Sequence, residues 1–342
     1  MTLAPDRLPT ITDLLNALID RQYAQETDAV IRAILNGSTS GMIGQRLKEL
    51  EAEAARLAEA GKALTRDNPV VRALVADFET TMRANQALID SAALGIQDGA
   101  VNAAGQVTRQ LALPGFTDAM LGELGIAWNV PNPEAVAQLV HYAGSDAWAE
   151  LLAGYGEGAV DAVQQVAIRG MVEGWGPLRT AREIRAVVEG LPAAQANTLM
   201  RTLQLTSFRD AQVAHRVANA HILEYQIRIA ARDGSCMACL ALHGTRMGLH
   251  ERVDDHHNGR CTSITVLKGQ APPDIQSGED WFNRRSEAEQ RAQMGNAAFE
   301  AWKAGAIQIK DFPQTTSDPV FGGMVQEASL KGMLGEQAKE FY

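Results

Sequence analysis

Cysteine is nearly absent, with three residues in 342, too few for a disulfide-built framework. No apolar run approaches the length needed to span a bilayer. The amino terminus, Met1-Thr-Leu-Ala-Pro-Asp, lacks the basic and apolar regions of a signal peptide. The expectation is a protein made and used in a reducing cytoplasm, where paired thiols hold metal more readily than they form disulfides. Aromatic residues make up only 5%, which suits close-packed, alanine-rich helices better than a sheet sandwich. Positive charge is also short: the formal net charge is −10, whereas gripping duplex DNA needs clustered Lys and Arg. Arg179, Arg182 and Arg185 recur at helical spacing, but Glu183 and Glu189 intervene, and a solvated helix face is the reading.

Catalytic signatures are missing too. No GxSxG elbow occurs, and Gly154-Tyr-Gly156-Glu-Gly158 follows a helix rather than a strand, so it lacks the setting of a phosphate-cradling loop. His215 and His221 stand six apart, too far round a helix to share a metal, and His141 in its apolar stretch reads as a core histidine. At 46% hydrophobic residues the chain is in the globular range, and 342 residues suffice for two cores.

The feature that is present is the grouping of the three cysteines. Cys236-Met-Ala-Cys239 puts two thiols on one tight turn, and fourteen residues separate it from Asp254-Asp255-His256-His257-Asn258-Gly259-Arg260-Cys261. A second knuckle supplying His and Cys would complete the tetrahedral nitrogen and sulfur shell that zinc prefers. The candidate ligands are Cys236, Cys239, His256 and Cys261. His256 and His257 are adjacent, so one of the two is expected to reach the ion. Such a closed shell favours a structural over a catalytic metal. Two other readings stand beside this one. A CxxC redox pair wants a helix start on a βαβ scaffold, and no such alternation surrounds it. Buried thiols can also be inert core residues.

The segments around these cysteines resemble a known family. Leu203-Gln-Leu-Thr-Ser-Phe-Arg209 through His215-Arg216-Val-Ala-Asn219, then Asp233-Gly-Ser-Cys236-Met-Ala-Cys239 and Gly244, are similar to the Mu F-like family of phage minor head (head morphogenesis) proteins. That family closes its knuckle with H-P-N-C-R-C. Here His256-His257-Asn258-Gly259-Arg260-Cys261 takes its place, so that His257 stands for the family proline and Gly259 for a family cysteine. Ser277-Gly-Glu-Asp-Trp281-Phe282, Glu287-Ala-Glu-Gln-Arg291 and Phe299-Glu-Ala-Trp302-Lys-Ala-Gly305 extend the likeness, which covers roughly residues 150 to 330. The resemblance implies a non-enzymatic structural component of a phage head that takes part in capsid assembly. It implies association with the portal protein and capsid components inside the procapsid, contact with packaged DNA, and residence in the virion head interior after assembly in the host cytoplasm. Neither a membrane nor a small-molecule substrate is expected. The alternative is a metal-dependent HNH-like nuclease, suggested by Asp254-Asp255-His256-His257-Asn258. That chemistry needs a further histidine on a following helix, and none follows Cys261.

Periodicity predicts a mainly α protein, with a helical bundle or hairpin as amino-terminal domain and an α+β carboxy-terminal domain whose small β-sheet is pinned by the zinc knuckle. The expected divisions are 1–130, a helical domain and candidate partner-docking region; 131–269, the minor-head-like domain with the knuckle; and 270–342, a helical tail. Helices are expected near 12–35, over a heptad-like seam Ile43, Leu47, Leu50, Ala54, Leu57, Gly61 and Leu64, and after Pro69. That seam is expected to pack within its own chain. Further helices are predicted at 133–143 (capped by Asn132 before Pro133), 146–153, 157–174, from a Thr180/Glu183 capping box, 194–222, 284–292 and 296–304. Strand alternation appears only at Tyr225, Ile227, Ile229 and at Thr262, Ile264, Val266.

Overall fold

The computed structural model describes residues 41–84, 86–230 and 235–342, so the helix expected near 12–35 and Asp233 lie outside the described residues. The described chain is mainly helical, with a small antiparallel sheet and a separate β-hairpin. No described helix is long and apolar enough to cross a membrane. Contacts gather into two units, each assembled from more than one stretch. One comprises the described parts of 21–96 with 142–201, and the other 97–141 with 202–342. The linear division at about residues 130 and 269 does not follow these units, because two long helices are each shared across a boundary.

The first unit is helical. Its helices are α1 (Met42–Glu59), α2 (Pro69–Ala84), the start of α3 (Gln86–Ala112), α6 (Asp146–Val172) and the first half of α7 (Pro177–Ala218). The α1 seam is buried as expected: Ile43, Leu47, Leu50, Ala54 and Leu57 form one core with Val71, Leu74 and Phe78 of α2 and with Val163, Ala167, Ile184 and Val188. The seam is therefore taken up internally and is not left for a partner. It also ends sooner than predicted. Gly61 adopts φ +64°, and the Gly61 and Lys62 amides donate to Ala58 and Leu57 carbonyls, which closes the helix in a Schellman turn. Trp148 is fully buried, and its indole nitrogen donates to Asp90 at 3.0 Å.

Two predicted breaks are absent. Gly154 to Gly158 lies inside the continuous helix α6, and α7 runs unbroken from Pro177 to Ala218. A glycine costs only about 1 kcal/mol within a helix, whereas Pro192 inside α7 costs about 3 kcal/mol, and α7 continues through it. The expected Thr180/Glu183 box does not form, since Thr180 is already helical and its hydroxyl donates to Gly176 O at 3.4 Å. Arg182 is exposed and Arg185 pairs with Glu189 at 2.8 Å, as on a solvated face.

The second unit begins with the rest of α3, then α4 (Asp118–Glu123) and α5 (Pro133–Leu139). The Asn132 side chain accepts from Glu134 N, with Pro133 at the first helical position, as predicted. His141 is exposed, not a core residue; α5 stops at Leu139, and beyond it Val140, Tyr142 and Ala143 are buried while His141 between them turns outward. After α7 come β1 (Leu223–Ile229), α8 (Met237–Ala241), β2 (Arg246–Met247) and β3 (Thr262–Leu267), in the antiparallel order β2-β1-β3. Tyr225 pairs with Val266, Ile227 with Ile264 and Arg228 with Ser263. One sheet face is apolar, with Tyr225, Ile227, Ile229 and Val266 packed with Ile275. The opposite face carries Gln226, Arg228, Ser263 and Thr265, and it is buried as well.

The carboxy-terminal segment adds α9 (Gly278–Asn283), α10 (Glu287–Met294) and α11 (Asn296–Lys303). Strands β4 (Pro313–Asp318) and β5 (Gly322–Glu327) form a hairpin, and a short helix α12 (Leu330–Leu334) follows. The hairpin corrects the expectation that strands occur only near the knuckle. Its Thr-Thr-Ser strand lacks an apolar rhythm, and its turn is an Asx turn in which Asp318 accepts from Val320 and Phe321 amides. This segment is not a detached tail. Phe282, Met294, Phe299, Ile307, Phe312, Val325 and Leu330 bury against Met237, Ala238 and Leu240 of α8. Gly278 shows how close that packing is, since a Cβ there would lie 1.9 Å from Leu240 O.

Candidate metal centre

The CxxC pair sits on the first turn of α8. Cys236 is the N-cap, and its sulfur accepts from Cys239 N at 3.4 Å. Because the N-cap side chain and the third helical residue lie on one side of the turn, both sulfurs face the same way. The helix start is held from outside by Glu327 of β5, whose carboxylate accepts from Met237 N at 2.6 Å. Burial raises the Glu327 carboxyl above its ordinary range.

The second knuckle folds over this turn. Cys236, Cys239 and His256 bring donor atoms within 4.8 Å of one another, and so do Cys239, Asp255 and Cys261. Cys239 belongs to both groups, so the four predicted ligands are linked through it. Zinc–sulfur bonds of about 2.3 Å place neighbouring ligands about 3.8 Å apart in a tetrahedron. The spacing within each group is close to that of a tetrahedral shell, whereas Cys261 is not grouped with Cys236 or His256. The donor set of thiols, an imidazole and a carboxylate is of the kind zinc takes, and the five residues could hold a metal ion.

The choice between the histidines follows from direction. His256 lies with the cysteines, its Nε2 3.6 Å from Asp255 Oδ1 and its Nδ1 2.8 Å from its neighbour's carbonyl. His257 turns to the β4–β5 hairpin, with Nε2 3.3 Å from Asp318 and its ring edge-on to Phe321.

Asp255 is the residue the ligand search by spacing passed over. It is 4% exposed and organises the knuckle: Oδ2 accepts from Cys261 N at 2.9 Å and from Arg209 Nη2 at 2.9 Å. Oδ1 accepts from His256 N at 3.0 Å and from the Cys239 thiol at 3.3 Å. Burial pushes this carboxyl up, but Arg209, His256 and the Cys261 amide outweigh it and hold the group below its usual range. Arg209 also donates to the carbonyls of Gly259 and Cys261 at 2.9 and 2.8 Å, tying α7 to the loop. The sequence signal for this arrangement is Gly259. A Cβ at 259 would lie 2.2 Å from Asp255 Cγ, so the carboxylate fills the space in which a side chain at 259 would begin.

Charge is shared within the metal-free cluster. The Cys236 thiol falls from 9.0 to about 4, chiefly through its hydrogen bond with Cys239 and then with His256. His256 rises from 6.5 to about 9, chiefly through Cys236 and then Asp255. Cys239 is pushed strongly up by Cys236 and Cys261 and stays a thiol. The depressed thiol adds stability in full above its unfolded value and loses it as pH falls through about 4. The raised imidazole adds stability in full below 6.5 and loses it as pH rises through about 9. The pair thus persists between those limits. In chelator-treated protein, iodoacetamide is expected to alkylate Cys236 ahead of the other two thiols at pH 6. His256→Ala should slow that reaction once the thiol pKa rises past the working pH, and then by roughly tenfold for each further unit. Equal labelling of all three thiols, read by mass spectrometry, would contradict this arrangement.

No protein family model matches the chain, and no curated protein and no solved structure does either.

Proposed function

We propose that this protein is a structural, metal-stapled module rather than an enzyme, with zinc on Cys236, Cys239, His256 and Cys261. We propose further that it serves as a minor head protein in phage capsid assembly, docking to the portal and capsid components. The observation that carries the structural half is the closure of the site. Cys239, Cys261 and the adjoining Asp255 are each no more than 4% exposed, Cys236 and His256 are half-buried at the edge, and the polar bonds of the group go to protein atoms, which suits a shell made of protein ligands better than one with an open position for substrate. The assembly half rests on the ordered motifs from Leu203 to Gly305. A nuclease would need a second histidine beyond the knuckle, and the last in the chain is His257.

One preparation tests both halves. Purified protein should contain about one zinc per chain by elemental analysis, should leave supercoiled plasmid intact with Mg²⁺ or Mn²⁺, and should cosediment with the portal oligomer encoded in the same genome. Nicking that disappears in His256→Ala would replace this reading with the nuclease, and failure to cosediment would remove the assembly role.

A further inference from the structure

Arg228 is a buried cation that forms no ion pair among the described residues. Its side chain lies on the polar face of β1 and is 3% exposed, and its Nε and Nη2 have no hydrogen-bond partner among the described residues. Removing a charge from water and leaving it unpaired costs several kcal/mol. The other two buried arginines of this layer are provided for. Arg209 holds Asp255. Arg216 is spread over the Leu249 and Glu251 carbonyls and the Ser263 hydroxyl. Strand register sets Arg228 opposite Ser263, two residues beyond Cys261, and its charge contributes to holding Asp255 ionised. Asp255, however, is already engaged by Arg209.

We propose that Arg228 is, with Arg209, the built-in counter-charge of the metal-loaded centre, and that it sets the preference for a divalent ion on three thiolates and one imidazole. This rests on the metal reading above and deepens it. A divalent ion with three thiolates and a neutral imidazole carries one net negative charge, and the Asp255 carboxylate makes two. Arg209 and Arg228 bring the buried cluster to neutrality. Without the ion, Arg228 keeps its charge with no hydrogen-bond partner at Nε or Nη2 among the described residues and is stranded. A monovalent or trivalent ion on the same ligands leaves the interior charged. The competing account is that neutral oxygens satisfy Arg228: Ser207 Oγ, Gln212 Oε1 and Gln226 Oε1 are buried and themselves unpartnered among the described residues. Such oxygens would complete hydrogen bonds but would supply no charge, so the two accounts differ in what metal does.

The test is Arg228→Met, with Arg228→Lys as the charge-retaining companion. Zinc affinity is read by competition with a chromophoric chelator, and metal-free stability by thermal unfolding. Arg228→Met is expected to bind zinc about 10- to 100-fold more weakly than wild type, while its metal-free form melts at a higher temperature. Arg228→Lys should recover most of the affinity. Wild type and Arg228→Met binding zinc equally would overturn this inference and leave the metal site standing. A metal-free Arg228→Met that melts lower, or does not fold, would also overturn it, because removing a stranded charge must stabilise. A wild-type protein that takes up no zinc would overturn both.

Discussion

Asp255→Asn is expected to destabilise the protein by about 3–5 kcal/mol, the range found when one member of a buried ion pair is removed. Both partners are almost fully enclosed, Asp255 at 4% and Arg209 at 5% exposure. The amide keeps the shape but exchanges an acceptor for a donor, at a place where Arg209, Cys261 N, His256 N and the Cys239 thiol all point their hydrogens. The side chain cannot swing away cheaply, because the carboxylate is lodged against Gly259. The measurement is urea unfolding of the chelator-treated protein, in which the Cys239 thiol keeps the proton it donates to Asp255. The double variant Asp255→Asn/Arg209→Met should recover much of the loss, since it removes the stranded charge along with its partner. A single variant within about 1 kcal/mol of wild type would mean that this pair does not hold the knuckle together.

Stripping the metal is the second large effect. Structural zinc contributes on the order of 10–16 kcal/mol in isolated finger peptides. Here the sheet and α8 have cores of their own, so a local loosening is expected rather than global unfolding. After chelation, amide exchange over 235–261 should accelerate by about a hundredfold or more, ~3 kcal/mol of local opening, while the core around Trp148 and Leu47 keeps its protection. Cys239→Ser should reproduce the effect most fully, because Cys239 is the one donor common to both ligand groups. Cys261→Ser should be milder. If Cys239→Ser and Cys261→Ser exchange alike, the shared role of Cys239 is disproved.

Much of this was legible in the chain. The α1 seam reads as a 3.6-residue stripe because one face of a helix must be apolar to bury, and that face is buried. The CxxC spacing and a distant His and Cys announce a common cation, and the fold brings those donors close. The β-hairpin at 313–327 was not legible: its strand is polar and gains its stability from Val325 reaching into the core around α8. Nor was the continuity of α6 through Gly154 and Gly158 and of α7 through Gly190 and Pro192, residues that locally disfavour a helix. His141 failed for a related reason, since an apolar neighbourhood in sequence says nothing of which way the side chain leaves the backbone.

Residue spacing alone decided that this is a helix-rich chain with one knot of soft metal donors, because periodic burial and ligand geometry are short-range constraints. The role of Asp255, the rejection of His257 and the enclosed charge of Arg228 came only from the packed fold. Each depends on groups far apart in sequence, Arg209 against Asp255, His257 against Asp318 and Arg228 against Ser263, and the energy of a buried charge is set by what surrounds it in space.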